Sequence, residues 1–193
     1  MLKDKFKHTK IILASGSPRR QQFFKDFDVD FEIRLKGIDE VYPAELQFLE
    51  ITDYLAKLKA NAFDGQLKEN ELLITSDTLV WHKNKALGKP SDYNDAFIML
   101  KNLANSTHEV ITSVCFKTFQ NEEIINEITK VTFADLSDEA IHYYLENYKP
   151  FDKAGSYGIQ DWIGLIGISK IEGSYTNVVG LPTEKVYRYL LQF

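Results

Sequence analysis

Cysteine is almost missing from this sequence. One thiol, Cys115, serves 193 residues, so no disulfide forms within the chain and no multi-cysteine zinc site can be built. The four histidines, His8, His82, His108 and His142, lie far apart and show no metal-ligand spacing. No apolar run approaches the roughly 20 residues of a membrane span. The basic start MLKDKFKHTK is not followed by an apolar stretch of signal-peptide length. With the lone cysteine, these absences lead to the expectation of a cytoplasmic protein with no membrane contact. Positive charge is also in short supply. The 23 Lys and Arg against 28 Asp and Glu leave a net charge of −5, which argues against a nucleic-acid partner, because affinity for a phosphate backbone needs clustered cations. Neither G-x-x-x-x-G-K-[ST] nor G-x-G-x-x-G occurs, so the P-loop and the dinucleotide fingerprint are excluded.

What is present suits a globular core. Hydrophobic residues make up 44% and charged residues 26%, with 13 Phe and 10 Tyr, the profile of an ordinary soluble domain. Residues 11–13 read as an apolar strand and 18–28 as a helix carrying Phe23, Phe24 and Phe27. A second strand over 31–35 completes a β-α-β start. A long helix is expected from Pro43 to about Phe63, a strand over 72–75, a turn at Lys83-Asn84 and an amphipathic helix over 92–103. Strands over 109–119 and 124–133 suggest a hairpin. Ser137 caps a helix that ends before Pro150, 163–171 reads as a strand, and a last helix runs from Thr183 to about Leu191. Residues 1–10 read as a ragged lead-in. Alternating strands and helices followed by a hairpin predict a mixed α/β sheet.

Several places break local rules. Ser17 is a good N-cap and Pro18 suits the first helical position. Arg19 and Arg20 then put two cations where the helix dipole is already positive, at a cost of about 0.3–1 kcal/mol each when exposed. Either both guanidiniums splay into water, or backbone N–H groups and guanidiniums together make an anion site around Ser15 to Arg20. Lys59 interrupts the apolar stripe Leu55, Ala56, Ala62, Phe63. Snorkelling, with the stem buried and the ammonium in water, accounts for it on spacing alone. Asp77 follows directly on an apolar strand run, where an acid is costly unless it is paired or holds a metal. A strand-end acid capping local backbone is the bland alternative. Glu40, in Gly37-Ile38-Asp39-Glu40, reads as a solvated loop, or as a carboxylate for a hard cation if a phosphate lies near. Lys89 sits in a stiff Gly-Lys-Pro turn, ordinary turn material by itself. Gln160 ends a glycine-containing loop that composition alone reads as a plain irregular connection, with close backbone approach to a ligand as the functional alternative. Together these pieces suggest hydrolysis of a phosphate anhydride, with cations to offset phosphoryl charge and two acids, Glu40 and Asp77, to place a divalent ion and a water.

Five ordered motifs then carry a resemblance. ASGSPRR at 14–20, SDT at 76–78, LGKP at 87–90, KAGSYGIQ at 153–160 and IEGSYTNVVGLP at 171–182 resemble the Maf family over essentially the whole chain. The resemblance implies a single two-lobed, mixed-sheet α/β domain of the Maf/ITPase-like type with a central cleft. It implies a nucleoside triphosphate pyrophosphatase that needs a divalent cation, Mg²⁺ or Mn²⁺. By motif position Asp77 resembles the catalytic proton acceptor, and Glu40 joins it around the metal. Ser15, Arg19, Arg20, Lys59 and Lys89 match phosphate-gripping positions, which moves Lys59 from snorkelling to function. Arg19, Thr78 and Gln160 match positions that set base preference. The arginine and glutamine resemble the branch acting on dTTP and UTP and not the branch acting on 7-methyl-GTP. Gln160 offers an acceptor and a donor, as the edge of thymine or uracil requires. Three departures stand out. Ser76 replaces the usual alanine before the aspartate, a change expected to be mild, with a hydroxyl that could add a hydrogen bond beside Asp77. Asp161 replaces the glycine after the glutamine and puts an acid near the base pocket. Thr112-Ser113 replaces threonine–glycine and is expected to be structural. Because Maf proteins have been linked to arrest of septum formation, a nucleotide-binding regulator of division with incidental catalysis is the alternative function. Oligomeric state is left open, with a homodimer as one alternative.

Overall fold

The computed structural model describes residues 1–193. It contains helices α1 Leu2–Lys5, α2 Pro18–Asp26, α3 Leu49–Asn61, α4 Tyr93–Leu103, α5 Asp138–Tyr148, α6 Trp162–Gly167, α7 Tyr175–Val179 and α8 Thr183–Gln192. The strands are β1 Lys10–Leu13, β2 Phe31–Ile33, β3 Glu71–His82, β4 Lys85–Leu87, β5 Thr107–Lys117, β6 Glu122–Phe133 and β7 Ile168–Glu172. They form one mixed sheet in the order β2-β1-β3-β5-β6-β7, with β4 paired to β3. β1 runs parallel to β2 and to β3, with Leu13 opposite Ile33 and Ile74. β4 and β7 are antiparallel to their neighbours. The predicted mixed α/β sheet is therefore present. No helix is long and apolar enough to cross a membrane.

The chain divides into two compact units. One comprises 1–77, 112–127 and 180–193, and the other 78–111 and 128–179. In the first, Ile11, Leu13, Phe24, Leu72, Ile74, Val114, Val186 and Leu190 pack into one core. A second cluster sets Ile12, Leu73 and Cys115 against Ala56, Ala60 and Phe63 of α3. Neighbouring residues of β1 thus serve different clusters, as the strand's two-residue period dictates. In the second unit, Ala96, Leu100 and Leu103 of α4 meet Ile141, Tyr144 and Leu145 of α5 over Val110, Val131 and Phe133.

Several boundaries differ from the sequence expectation. Residues 1–10 are not ragged: Leu2 and Phe6 are buried in the first unit's core, and the Lys5 ammonium donates to Leu191 O at 2.7 Å. The long helix begins at Leu49, not Pro43. Phe48 has φ 52° and ψ −120°, which breaks the helical ladder, and Glu50 Oε2 accepts the Gln47 N–H at 3.1 Å to close the start. β3 does not stop before Ser76 but continues to His82. The turn at Lys83-Asn84, with φ 49° and 60°, is a left-handed two-residue hairpin leading into β4. The strand expected over 163–171 is split between α6 and β7. A short apolar run has no period to decide between the two, and close packing decides here. A Cβ on Gly164 would lie 1.8 Å from Ile159 O, and one on Gly167 would lie 3.0 Å from Leu136 and Phe133. The short helix α7 is a further element absent from the sequence expectation.

Candidate active site

The turn after β1 folds as its sequence directs. Ser17 caps α2 by accepting the Arg20 N–H on its hydroxyl, with Pro18 at the start of the helix. Ser15, almost fully buried, accepts the Ser17 N–H on Oγ at 3.3 Å, and its carbonyl accepts from Gln21 Nε2 at 3.0 Å. Arg19 is half-buried. Arg20 departs from the picture of two guanidiniums aimed at one anion. Its Nε donates to Gly180 O at 2.8 Å and its Nη1 to Ser76 O at 3.0 Å. Two of its three nitrogens thus tie the start of α2 to β3 and to the chain leading into α8. Burial lowers the Arg20 pKa while the Asp77 charge opposes that shift. The group stays a cation, as arginine does throughout the working range.

Asp77 lies in mid-strand, and α3 explains how. Alternate residues of β3 face one side, so Leu73, Thr75 and Asp77 share a face. Leu73 packs on Ala56 and Ala60, and the Thr75 hydroxyl donates to Ala56 O at 2.7 Å. One helical turn on from Ala56, the Lys59 ammonium meets Asp77 Oδ1 at 2.6 Å. It also lies 3.0 Å from Glu40 Oε1. The Asp77 and Lys59 side chains are 10% and 15% exposed, so this pair is shielded from water. Removing Lys59 would leave the Asp77 carboxylate buried without its ammonium, a cost of about 3–5 kcal/mol, whereas neutralising Asp77 leaves Lys59 still paired with Glu40. Glu40 is about half exposed, so water screens its charge more than that of Asp77. Lys59 therefore does not snorkel into water. Ser76, on the other face, has a buried Oγ without a hydrogen-bond partner, so its hydroxyl adds no bond beside Asp77.

No three His, Cys, Asp or Glu side chains converge on a metal-binding arrangement. Glu40 and Asp77 do share a cation, because the Lys59 ammonium stands between their oxygens. Two hard oxygen donors with a positive charge already between them match an ion that takes one or two carboxylates from protein and its remaining ligands from phosphate and water.

The other predicted residues belong to the second unit. Thr78 follows Asp77 in β3 and is half-buried. Lys89 is exposed on the loop after β4. That loop is tied to the glycine-containing loop before α6, because the Gly155 N–H donates to Gly88 O at 3.0 Å. Gly155 has φ +68°, and a Cβ there would press on Val80 at 3.0 Å, so only glycine meets both demands without strain. Gln160, at the end of the loop, is exposed, and its Nε2 donates to Asp161 Oδ1 at 3.2 Å. Tyr144 carries no functional mark in the sequence. Its helical spacing marks a core residue, yet its hydroxyl donates to Asp161 Oδ2 at 2.7 Å and accepts the Gly158 N–H at 3.0 Å. Ser113 is structural, as expected: its hydroxyl joins Thr52 at 2.7 Å and Asp53 at 2.6 Å on α3.

Comparison with known proteins gives a consistent result. Residues 10–193 match the family described as Maf-like protein. A Flavobacterium psychrophilum protein named dTTP/UTP pyrophosphatase is 76% identical over 99% of this chain and 98% of its own length. A Flavobacterium johnsoniae protein of the same name is 68% identical over 98% of each chain. Among solved structures, a HAM1 protein from Coxiella burnetii superposes with a TM-score of 0.50 at 12% identity, covering 96% of this chain and 100% of that one, a likeness of fold alone. The motifs at 14–20, 76–78, 87–90, 153–160 and 171–182 are therefore those of a relative, and the chain belongs to the Maf-like protein family.

Proposed function

We propose that this protein is a nucleoside triphosphate pyrophosphatase that hydrolyses dTTP and UTP between the α- and β-phosphates. The products are the nucleoside monophosphate and pyrophosphate. The observation that carries the chemistry is the shielded Asp77 carboxylate with the Lys59 ammonium at 2.6 Å and Glu40 on the ammonium's other side. The choice of nucleotide draws support from relatives at 76% and 68% identity that bear the name dTTP/UTP pyrophosphatase.

Asp77 accepts the proton of the water whose oxygen attacks the α-phosphorus. The bond from that phosphorus to the bridging oxygen breaks, and pyrophosphate leaves with the electron pair. Lys59, Arg19, Arg20 and Lys89 offset the negative charge of the triphosphate, with Ser15 as a further polar contact. Part of Arg20's contribution is to fix the backbone at Ser76, the residue before Asp77. Glu40 and Asp77 would hold a divalent cation, Mg²⁺ or Mn²⁺, which when bound supplies charge neutralisation and a more acidic water. Arg19, Thr78 and Gln160 set base preference, with the Gln160 carboxamide offering an acceptor and a donor to the thymine or uracil edge.

The test is a panel of nucleoside triphosphates with Mg²⁺ and the products identified. The proposal expects dTMP and pyrophosphate from dTTP, UMP and pyrophosphate from UTP, and slower turnover of the other nucleotides. Release of a nucleoside diphosphate and inorganic phosphate would place the cleavage elsewhere and overturn it.

A further inference from the structure

Gln160 is an ambiguous reader by itself. Its carboxamide carries an acceptor and a donor side by side, and a half-turn of the terminal torsion exchanges them at little cost. Uracil and thymine offer N3–H as donor beside O4 as acceptor. Cytosine offers the reverse pair, N3 as acceptor beside the exocyclic amine as donor. A freely turning glutamine accommodates both edges.

The structure removes that freedom. Asp161 Oδ1 accepts from Gln160 Nε2 at 3.2 Å. The carboxylate is itself anchored, since Oδ2 accepts from the Tyr144 hydroxyl at 2.7 Å and lies 4.0 Å from the Lys153 ammonium. Tyr144 is fully buried in α5 and is fixed in turn by the Gly158 N–H at 3.0 Å and by stacking on Tyr148. The backbone makes room for this arrangement. A Cβ on Gly158 would fall 2.6 Å from Asp161 Oδ2 and 2.7 Å from Gln160 Nε2, so any side chain there would displace the pair. A carboxylate has no proton to give, so turning the carboxamide would set Oε1 against Oδ1, acceptor against acceptor. One Nε2 proton is taken by Asp161, while Oε1 and the second Nε2 proton remain as an acceptor–donor pair of fixed order.

We infer that Asp161, held by Tyr144, is a positioning residue that locks the Gln160 carboxamide in the order complementary to uracil and thymine and rejects cytosine. The inference rests on the reading of Gln160 as a contact to the base. Asp161 touches no reacting atom and leaves the hydrolytic step as it is.

The experiment is competition between UTP and CTP in one tube, reported as the ratio of the two kcat/KM values, for the full-length wild type, Gln160→Ala, Asp161→Asn, Asp161→Gly and Gln160→Ala/Asp161→Asn. Asparagine keeps the size of aspartate and can face Gln160 with either an acceptor or a donor, so it releases the lock. Glycine removes it outright and covers the case in which the asparagine variant folds poorly. Asp161→Asn and Asp161→Gly should each lower the UTP-over-CTP ratio about tenfold, mainly by raising kcat/KM for CTP, with UTP turnover falling by less. The double variant should be no less selective than Gln160→Ala alone, since the lock acts only through Gln160. If the Asp161 variants keep the wild-type ratio while Gln160→Ala loses it, the lock is refuted and the reading of Gln160 stands. If Gln160→Ala keeps the ratio, the base contact itself is wrong and the lock falls with it.

Discussion

Replacing Arg20 with alanine removes two hydrogen bonds to backbone carbonyls, Nε to Gly180 O at 2.8 Å and Nη1 to Ser76 O at 3.0 Å. Bonds from a charged donor contribute about 1.5–3 kcal/mol each, and because they share one side chain they do not add in full. A loss of about 3 kcal/mol follows for Arg20→Ala. In a domain of this size each kcal/mol moves Tm by about 2–4 °C, so the variant should melt about 6–12 °C below the wild type. Arg20→Lys should recover part of the difference, because an ammonium reaches one carbonyl but cannot bridge two as a guanidinium fork does. Thermal unfolding followed by circular dichroism without nucleotide isolates this effect, since no phosphate is present to contribute. A Tm for Arg20→Ala within about 2 °C of wild type would refute the reasoning. Arg20 would then be a plain phosphate ligand, as its place in the sequence first suggested.

Other consequences can be checked separately. Glu40→Gln should raise the Mg²⁺ concentration needed for half-maximal activity by about tenfold or more, the scale set by losing a hard anionic ligand, and should leave Tm nearly unchanged because Glu40 is half exposed; an unaltered Mg²⁺ titration would exclude it from the metal site. Burial lowers the His108 pKa from 6.5 to about 3. Between those values the unfolded chain binds a proton that the folded chain refuses, so stability present above pH 6.5 is lost as pH falls, at up to about 1.4 kcal/mol per pH unit. His108→Gln should flatten the pH dependence of urea-unfolding stability across that window by up to one proton, and an unchanged slope would contradict the assignment. Gly164→Ala must displace Ile159 O, which an ideal Cβ would meet at 1.8 Å, and should cost about 1–3 kcal/mol, read as a lower Tm with reduced dTTP turnover because Ile159 adjoins Gln160.

What was legible in the sequence was local. The Ser17 cap, Pro18 at the helix start and the Ser137 cap act within one turn, and each was placed correctly. The phosphate-like loop could be recognised because two arginines defied the helix dipole, but the carbonyls that hold Arg20, at Ser76 and Gly180, lie far along the chain and leave no local mark. The same limit applied to Lys59. Its break in an apolar stripe was visible, while the carboxylate that stabilises it, Asp77, is 18 residues away on a strand that continues past the acid. Tyr144 looked like any core aromatic because its ring is one, and only the fold shows that its hydroxyl reaches Asp161. The missed boundaries had local causes of another kind. Phe48 adopts a left-handed conformation that no propensity favours, and the run 163–171 has too little period to separate helix from strand.

The most direct measurement is pyrophosphate release from dTTP with Mg²⁺ by the wild type and by Asp77→Asn, with both proteins shown to unfold cooperatively. Asparagine keeps the shape of the side chain, and Lys59 retains Glu40, so the fold should persist while turnover drops by about 10²–10⁴, the usual contribution of a positioned proton acceptor. A folded Asp77→Asn protein that releases pyrophosphate as fast as the wild type would contradict the account at its centre.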